Sequence, residues 1–98
     1  MPFTEIDKLI HEPARLLIMS FLFVVEEADF VFLKHQTKLT DGNLFSHLGK
    51  LEDANYVNVE KITKGKKSQT LYSLTKEGRV AFDNYRKKMS QVLGDFTK

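Results

Sequence analysis

Asn43, Ser46, His47 and Lys50 fall at helical intervals within one short stretch. At about 3.6 residues per turn they share one side of a helix with Asp41. An amide, a hydroxyl, an imidazole and an ammonium group can together both donate and accept hydrogen bonds. A little further on, Lys64, Lys66 and Lys67 crowd around Gly65, and Ser68 and Gln69 follow. Ammonium groups this close repel one another and attract a polyanion. The spacings that catalysis needs are missing. There is no phosphate loop, no HExxH, no dinucleotide fingerprint and no supported Ser-His-Asp order, so the chain reads as a non-enzyme. The chain contains no cysteine, which excludes disulfides, iron–sulfur clusters, zinc–thiolate sites and thiol nucleophiles. His11, His35 and His47 are scattered, so neither a metal site nor another cofactor is expected.

These side chains need elements to hold them. A helical stretch is expected over residues 4–25, interrupted at Pro13, with Thr4 as its cap and Asp7 as the reach-back partner. Ile10, Ala14, Leu17, Ile18, Phe21, Leu22 and Val25 keep helical spacing over a wide apolar arc, so this helix is expected at the centre of the core. Asp29 suits the cap of a short second helix over 29–37, with Phe30, Leu33 and Phe32 turned inward. Lys38-Leu39 makes a short turn, and Thr40 caps a third helix over 40–55. Leu44, Leu48 and Leu51 form its apolar stripe, opposite the polar face. From Tyr56 the period drops to two, and residues 56–74 read as a β-hairpin with a turn over 63–68 and its tip at 64–67. Thr75 caps a last helix over 75–96, which has Gly78 in its first turn. The fold class is α+β in a single domain over residues 1–98.

The bulk numbers agree. Hydrophobic residues make up 42% and charged residues 29% of 98, an ordinary globular balance. Residues 1–33 carry two basic and six acidic side chains, whereas residues 34–76 carry eight basic and four acidic. The positive charge therefore gathers on the stretch that holds the polar face and the hairpin. The longest apolar run, Leu16 to Val25, is broken by Ser20 and falls well short of the roughly 20 residues a membrane span needs. The first ten residues hold Glu5 and Asp7 and no apolar segment, so no signal peptide is expected and the location is expected to be cytoplasmic.

Two short helices, a tight turn, a third helix with a polar face and then a basic-tipped hairpin follow one another in order. The residues that carry this are His11-Glu12-Pro13-Ala14-Arg15-Leu16-Leu17-Ile18, the run Leu39 to Glu52, the hairpin Lys61 to Leu74, and Leu74-Thr75-Lys76-Glu77-Gly78-Arg79. The pattern L-T-x-G-N-L-x-x-H-L-x-x-L-E, then Y-V, a basic turn and Y-x-L-T-x-E-G-R, resembles winged helix-turn-helix regulators of the MarR/ArsR superfamily. The resemblance is to the small single-domain archaeal and bacterial type and covers essentially the whole chain. It implies a transcriptional regulator that binds double-stranded DNA, with helix 40–55 in the major groove and a wing, residues 62–70, on the backbone or minor groove.

Under that resemblance Asn43 is placed to bond adenine and Lys50 to bond guanine or phosphate, with Ser46 and His47 beside them. Asp41 stands on the same face and equally suits the helix dipole as a first-turn residue. Thr40 and the exposed amides at the helix start can hold a phosphate. Lys64, Lys66 and Lys67 would neutralise phosphates, and Ser68 and Gln69 would add neutral contacts. Lys34 and Lys38 stand at the entrance to the motif, and Arg15 is a lesser candidate. The resemblance also implies a homodimer built from the first and last helices, with half-sites about 34 Å apart. Phe82, Tyr85, Met89, Val92 and Phe96, spaced 3, 4, 3 and 4 apart, make a seam that fits either a twin or the chain's own core. No residues stand out as a small-molecule effector site. The rival readings are a winged helix used for protein–protein contact and a non-specific, architectural DNA or RNA binder.

Overall fold

The computed structural model describes the backbone of residues 6–97 and the side chains through residue 94. The elements run α1 (Pro13–Val25), β1 (Glu27–Asp29), α2 (Phe30–Thr37), α3 (Asp41–Asp53), β2 (Val57–Lys64), β3 (Lys67–Leu74) and α4 (Lys76–Thr97). The expected order is present, with one strand added and the first helix shortened. The cap expected at Thr4 lies outside the described residues. Residues 6–12 form turns and a bend, not helix. Asp7 spends its carboxylate locally, where Oδ1 accepts the Leu9 and Ile10 amides at 2.9 and 3.2 Å. Glu12 is extended (φ −101°, ψ 132°), as a residue before proline must be, so the helix begins only at Pro13. The Glu12 carboxylate then caps α1, accepting the Ala14 and Arg15 amides at 2.8 and 3.3 Å.

Antiparallel pairing joins all three strands in the order β1-β3-β2. β1 is too short for any periodicity to reveal. It exists because Ala28 pairs with Tyr72 and is buried between the sheet and α1. The hairpin register runs from Val57↔Leu74 to Lys64↔Lys67, so the turn is only Gly65-Lys66, tighter than the loop over 63–68. Gly65 has φ +61° while Lys66 does not have positive φ, the pattern of a type II′ turn that suits strand twist.

The core gathers around α1. Ile10, Ile18, Met19, Leu22, Leu33, Leu44 and Leu51 are fully buried. Leu17 and Val25 lie outside this arc and are exposed, and Phe32 stands at the rim, edge-on to Phe21 at 6.5 Å. α4 returns across α1, where the Phe23 and Phe82 rings meet at 5.0 Å. Arg79 and Arg86 both place their guanidinium groups over Phe23, at 5.5 and 5.7 Å. Phe82, Tyr85 and Val92 are buried within the protomer and Met89 is half-buried, so most of the heptad-like seam closes this chain's own core. The Phe96 side chain lies outside the described residues.

Gly78 explains itself in three dimensions. A Cβ there would lie 2.1 Å from the Tyr56 carbonyl oxygen, which accepts the Thr75 amide at 3.0 Å. The first turn of α4 thus rests directly on the backbone that links α3 to β2. Tyr56 is fixed from its other end as well. Its hydroxyl donates to Asp7 Oδ2 at 2.5 Å, and burial together with that carboxylate pushes its pKa up to about 12. Gly78→Ala is expected to cost at least about 2 kcal/mol in urea unfolding, since backbone must move. Gly49→Ala, where a Cβ meets nothing within 4 Å, should instead gain up to about 1 kcal/mol. Equal midpoints for the two variants would contradict this packing.

Candidate nucleic-acid interface

α3 is held from one side only. Leu44, Leu48 and Leu51 are buried against the core, and replacing one of these by alanine would cost about 2–5 kcal/mol. Substitutions on the outer face normally fall within about ±0.5 kcal/mol, so that face is free to serve something other than folding. Asn43, Ser46 and Lys50 stand there, all exposed. Thr40 is the cap, its hydroxyl accepting the Asn43 amide at 3.1 Å. Lys38 ends α2 in the left-handed region (φ 61°, ψ 18°) and its side chain is exposed. Leu39 packs against the core between the two helices.

Some expected contacts are already engaged within the chain. Lys34 Nζ lies 2.7 Å from Asp41 Oδ1, so Asp41 faces a cation and spans the two helices of the motif. Both groups are largely in water, where such a pair is worth about 0.2–1 kcal/mol and yields readily to a phosphate. His47 is not a freely exposed reader. Its Nδ1 lies 3.1 Å from an Arg15 guanidinium nitrogen and 3.3 Å from Glu12 Oε2. Arg15 also donates Nε–H to the Leu9 carbonyl at 2.7 Å. Arg15 therefore braces α3 against the start of α1, and only Nε2 of His47 remains for another partner. Burial pushes the Glu12 carboxyl up. The Ala14 and Arg15 amides, with the charges of His47 and Arg15, outweigh that and hold it below its ordinary value.

Gln69 is engaged too. Its amide donates to Asp29 Oδ2 at 2.8 Å, while Asp29 Oδ1 accepts the Phe32 amide at 2.7 Å. One carboxylate thus caps α2 and anchors the hairpin. The Phe32 amide, then Gln69, hold the Asp29 carboxyl below its ordinary value.

The hairpin lysines do not share one face. Side chains alternate along a strand. Lys61 and Thr70 face α3 across a groove with Phe45, Gly49 and Glu52, a space of about 290 Å³. Lys64 and Lys67 lie with Asp29, Val31 and Ile62 on the side toward α2. They also oppose each other in the ladder, an arrangement of like charges that weakens a hairpin. Ser68 is exposed beside them, and Lys66 stands in the turn itself. Among the described residues none of Lys61, Lys64, Lys66 and Lys67 has an ion-pair partner. Lys61 and Phe45 are the members of this surface that reading for polar residues at helical phase, and for the hairpin tip, passed over. Strand alternation could have pointed to Lys61.

Comparisons with known proteins bear on this arrangement. The sequence profile of the winged helix DNA-binding domain family matches residues 14–93. An uncharacterised protein of Methanocaldococcus jannaschii is 38% identical over 78 residues, which cover 80% of this chain and 85% of that protein. Among solved structures, a transcriptional regulator homologue from Pyrococcus horikoshii superposes with a TM-score of 0.85 at 27% identity, covering 90% of this chain and 87% of that one. A MarR-family regulator from Enterococcus faecalis shares the fold, with a TM-score of 0.77 at 21% identity over 91% of this chain and 79% of that chain.

The two lowered carboxyls give a pH signature. A folded-state pKa below the unfolded one adds stability that is present above the ordinary value and lost as pH falls through the folded one. For Glu12 and Asp29 the ordinary values are 4.5 and 3.8, so the loss should begin below about pH 4.5. Glu12→Gln combined with Asp29→Asn should be less stable at pH 7 and should lose less on acidification. Urea midpoints measured from pH 7 to 3 check this, and parallel profiles for the two proteins would refute it.

Proposed function

This chain belongs to the winged helix DNA-binding domain family and is a DNA-binding regulator, and from that premise we propose how it meets its duplex. α3 enters the major groove, and the β2–β3 hairpin lies along the adjoining backbone with its tip at the minor groove. Asn43 and Ser46 read base edges, with Asn43 suited to adenine N6 and N7. Lys50, Lys64, Lys66, Lys67 and Ser68 hold phosphates, with Lys61 on the inner side of the hairpin. Thr40 and the first amides of α3 approach a phosphate, and Lys34 and Lys38 flank it. His47, engaged through Nδ1 with Arg15 and Glu12, keeps Nε2 for a contact at the α1 edge of that face.

One observation carries this reading: lysines held against each other at the hairpin tip without an acidic partner among the described residues. Nothing in the fold gains from that arrangement. A polyanion laid against it turns repulsion into attraction and releases counterions.

We further propose that the regulator is a homodimer built on α1 and α4. Since Phe82, Tyr85 and Val92 serve the protomer, the pairing surface is assigned to what remains open. It includes Leu17, Val24 and Val25 on α1, and Val80, Leu93 and the half-buried Met89 on α4. A second copy would cover apolar side chains that this small core leaves in water.

Binding titrations against salt test the first part. Each of Lys64→Ala, Lys66→Ala and Lys67→Ala should weaken binding on every sequence alike and lower the magnitude of the log–log salt slope by about one. Asn43→Ala should leave that slope unchanged and alter the bases preferred in selection from random duplexes. A selection that enriches no sequence would make the protein an architectural binder. Sedimentation at micromolar concentration should give a dimer, and Leu93→Glu with Val24→Glu should give monomers. A monomeric parent protein ends the dimer proposal.

A further inference from the structure

Phe45 is the one apolar residue of α3 that the core does not take, and 70% of its surface is open. Leu44, Leu48 and Leu51, the other three, are buried. At about 100° per residue Phe45 stands a quarter-turn round from the leucine stripe, on the flank that faces the hairpin. His47 occupies the opposite flank and turns toward α1. The ring lines the groove between α3 and the sheet together with Gly49, Lys61 and Thr70. It makes no aromatic or cation–π contact among the described residues.

The helix carries two glycines close to this ring, with Leu48 and Glu52 completing the groove wall. Gly42 and Gly49 lie one turn before and one turn after it, and a Cβ at either would meet nothing within 4 Å. Glycine is a poor helix former, and the packing of this chain requires it at neither position. Their effect is to leave the approach to Phe45 open from outside. A large ring kept in water, with a glycine one turn to either side of it, is arranged for an external apolar group.

Resting on the reading that α3 enters the major groove, we propose that Phe45 is a specificity-determining residue that packs against the C5-methyl group of a thymine. The major-groove edge of the four base pairs carries a single apolar group, and it is that methyl. A phosphate or a sugar hydroxyl would gain nothing from a phenyl ring. Lys61 lines the same groove from the strand, opposite Glu52 on the helix, and supplies the cation on the ring's side of the hairpin. Asn43 and Ser46 read hydrogen-bonding groups, and Phe45 reads the one feature of the groove that has none.

The test is a cycle between protein and DNA. The preferred duplex is first selected from random sequence, and each thymine is then replaced by deoxyuridine, which lacks only the methyl group. Fluorescence anisotropy reads the affinities. In the parent protein one thymine per half-site should stand out, its replacement weakening binding about threefold to fivefold, the worth of one buried methyl. With Phe45→Ala that difference should vanish, and with Phe45→Leu it should persist in part. Thermal unfolding of both variants should match the parent, because the ring is exposed. Replacement without effect at every thymine overturns the proposal, as does an equal effect in Phe45→Ala. So does a change in oligomeric state on Phe45→Ala, which would assign the ring to a second copy. A parent protein that binds no duplex overturns the underlying reading instead, before the thymine series begins.

Discussion

Everything on the outer surface of α3 depends on how its inner surface is seated. Three leucines at helical spacing sink into the core, and each is worth about 2–5 kcal/mol against truncation. That burial sets the rotation of the helix about its axis. Rotation by one residue would carry Asn43 and Ser46 about 100° away from where they now stand. Two further restraints act on the same degree of freedom. Glu12 and Arg15 hold His47 from the α1 side, and the Lys34–Asp41 pair ties the start of α3 to α2. The leucines supply most of the energy, and the polar contacts supply direction. The exposed residues can therefore be chosen for what they touch outside the molecule.

The hairpin obeys the opposite economy. It has little of its own to bury beyond its base, where Val57, Tyr72 and Leu74 enter the core. Toward its tip the strands carry Lys61, Lys64 and Lys67, with Lys66 in the turn. Its shape comes from the ladder and from Gly65, whose positive φ the tight turn demands. Stability sits at the root and charge at the end. A segment built this way is held extended from its root, by β1 and by the Asp29–Gln69 contact, and its end is left electrostatically uncompensated.

The helices around the motif were legible because their signals are local. Asp29, Thr40 and Thr75 each accept an amide three residues on, which is what a cap in the sequence announces. Leu44, Leu48 and Leu51 could be placed by spacing alone, and so could the alternation of the hairpin. What stayed hidden depends on residues far apart in the chain. β1 is three residues long and forms because β3 is there to pair with it. The segment before Pro13 looked helical because Thr4 and Asp7 are spaced like a capping pair. The Asp7 carboxylate is instead used on Leu9, Ile10 and, across 49 residues, Tyr56. The polar face was read correctly as exposed at Asn43, Ser46 and Lys50. Helical phase could not tell that His47 meets Glu12 and Arg15, or that Gln69 meets Asp29, since those partners arrive only on folding.

The double use of Asp29 has a mechanical result. One oxygen fixes the first turn of α2 and the other fixes Gln69 near the end of the hairpin, while β1 splices the same residue into the sheet. Helix pair and hairpin are thus tied at a common point, which couples the part proposed to enter a groove to the part proposed to lie on the rail. Under the proposed docking, a duplex whose groove width departs from this span is met only by straining the Asp29 ties or by deforming the duplex. Where the duplex takes up that difference, pliable base steps beneath the hairpin would raise affinity even where no side chain touches a base.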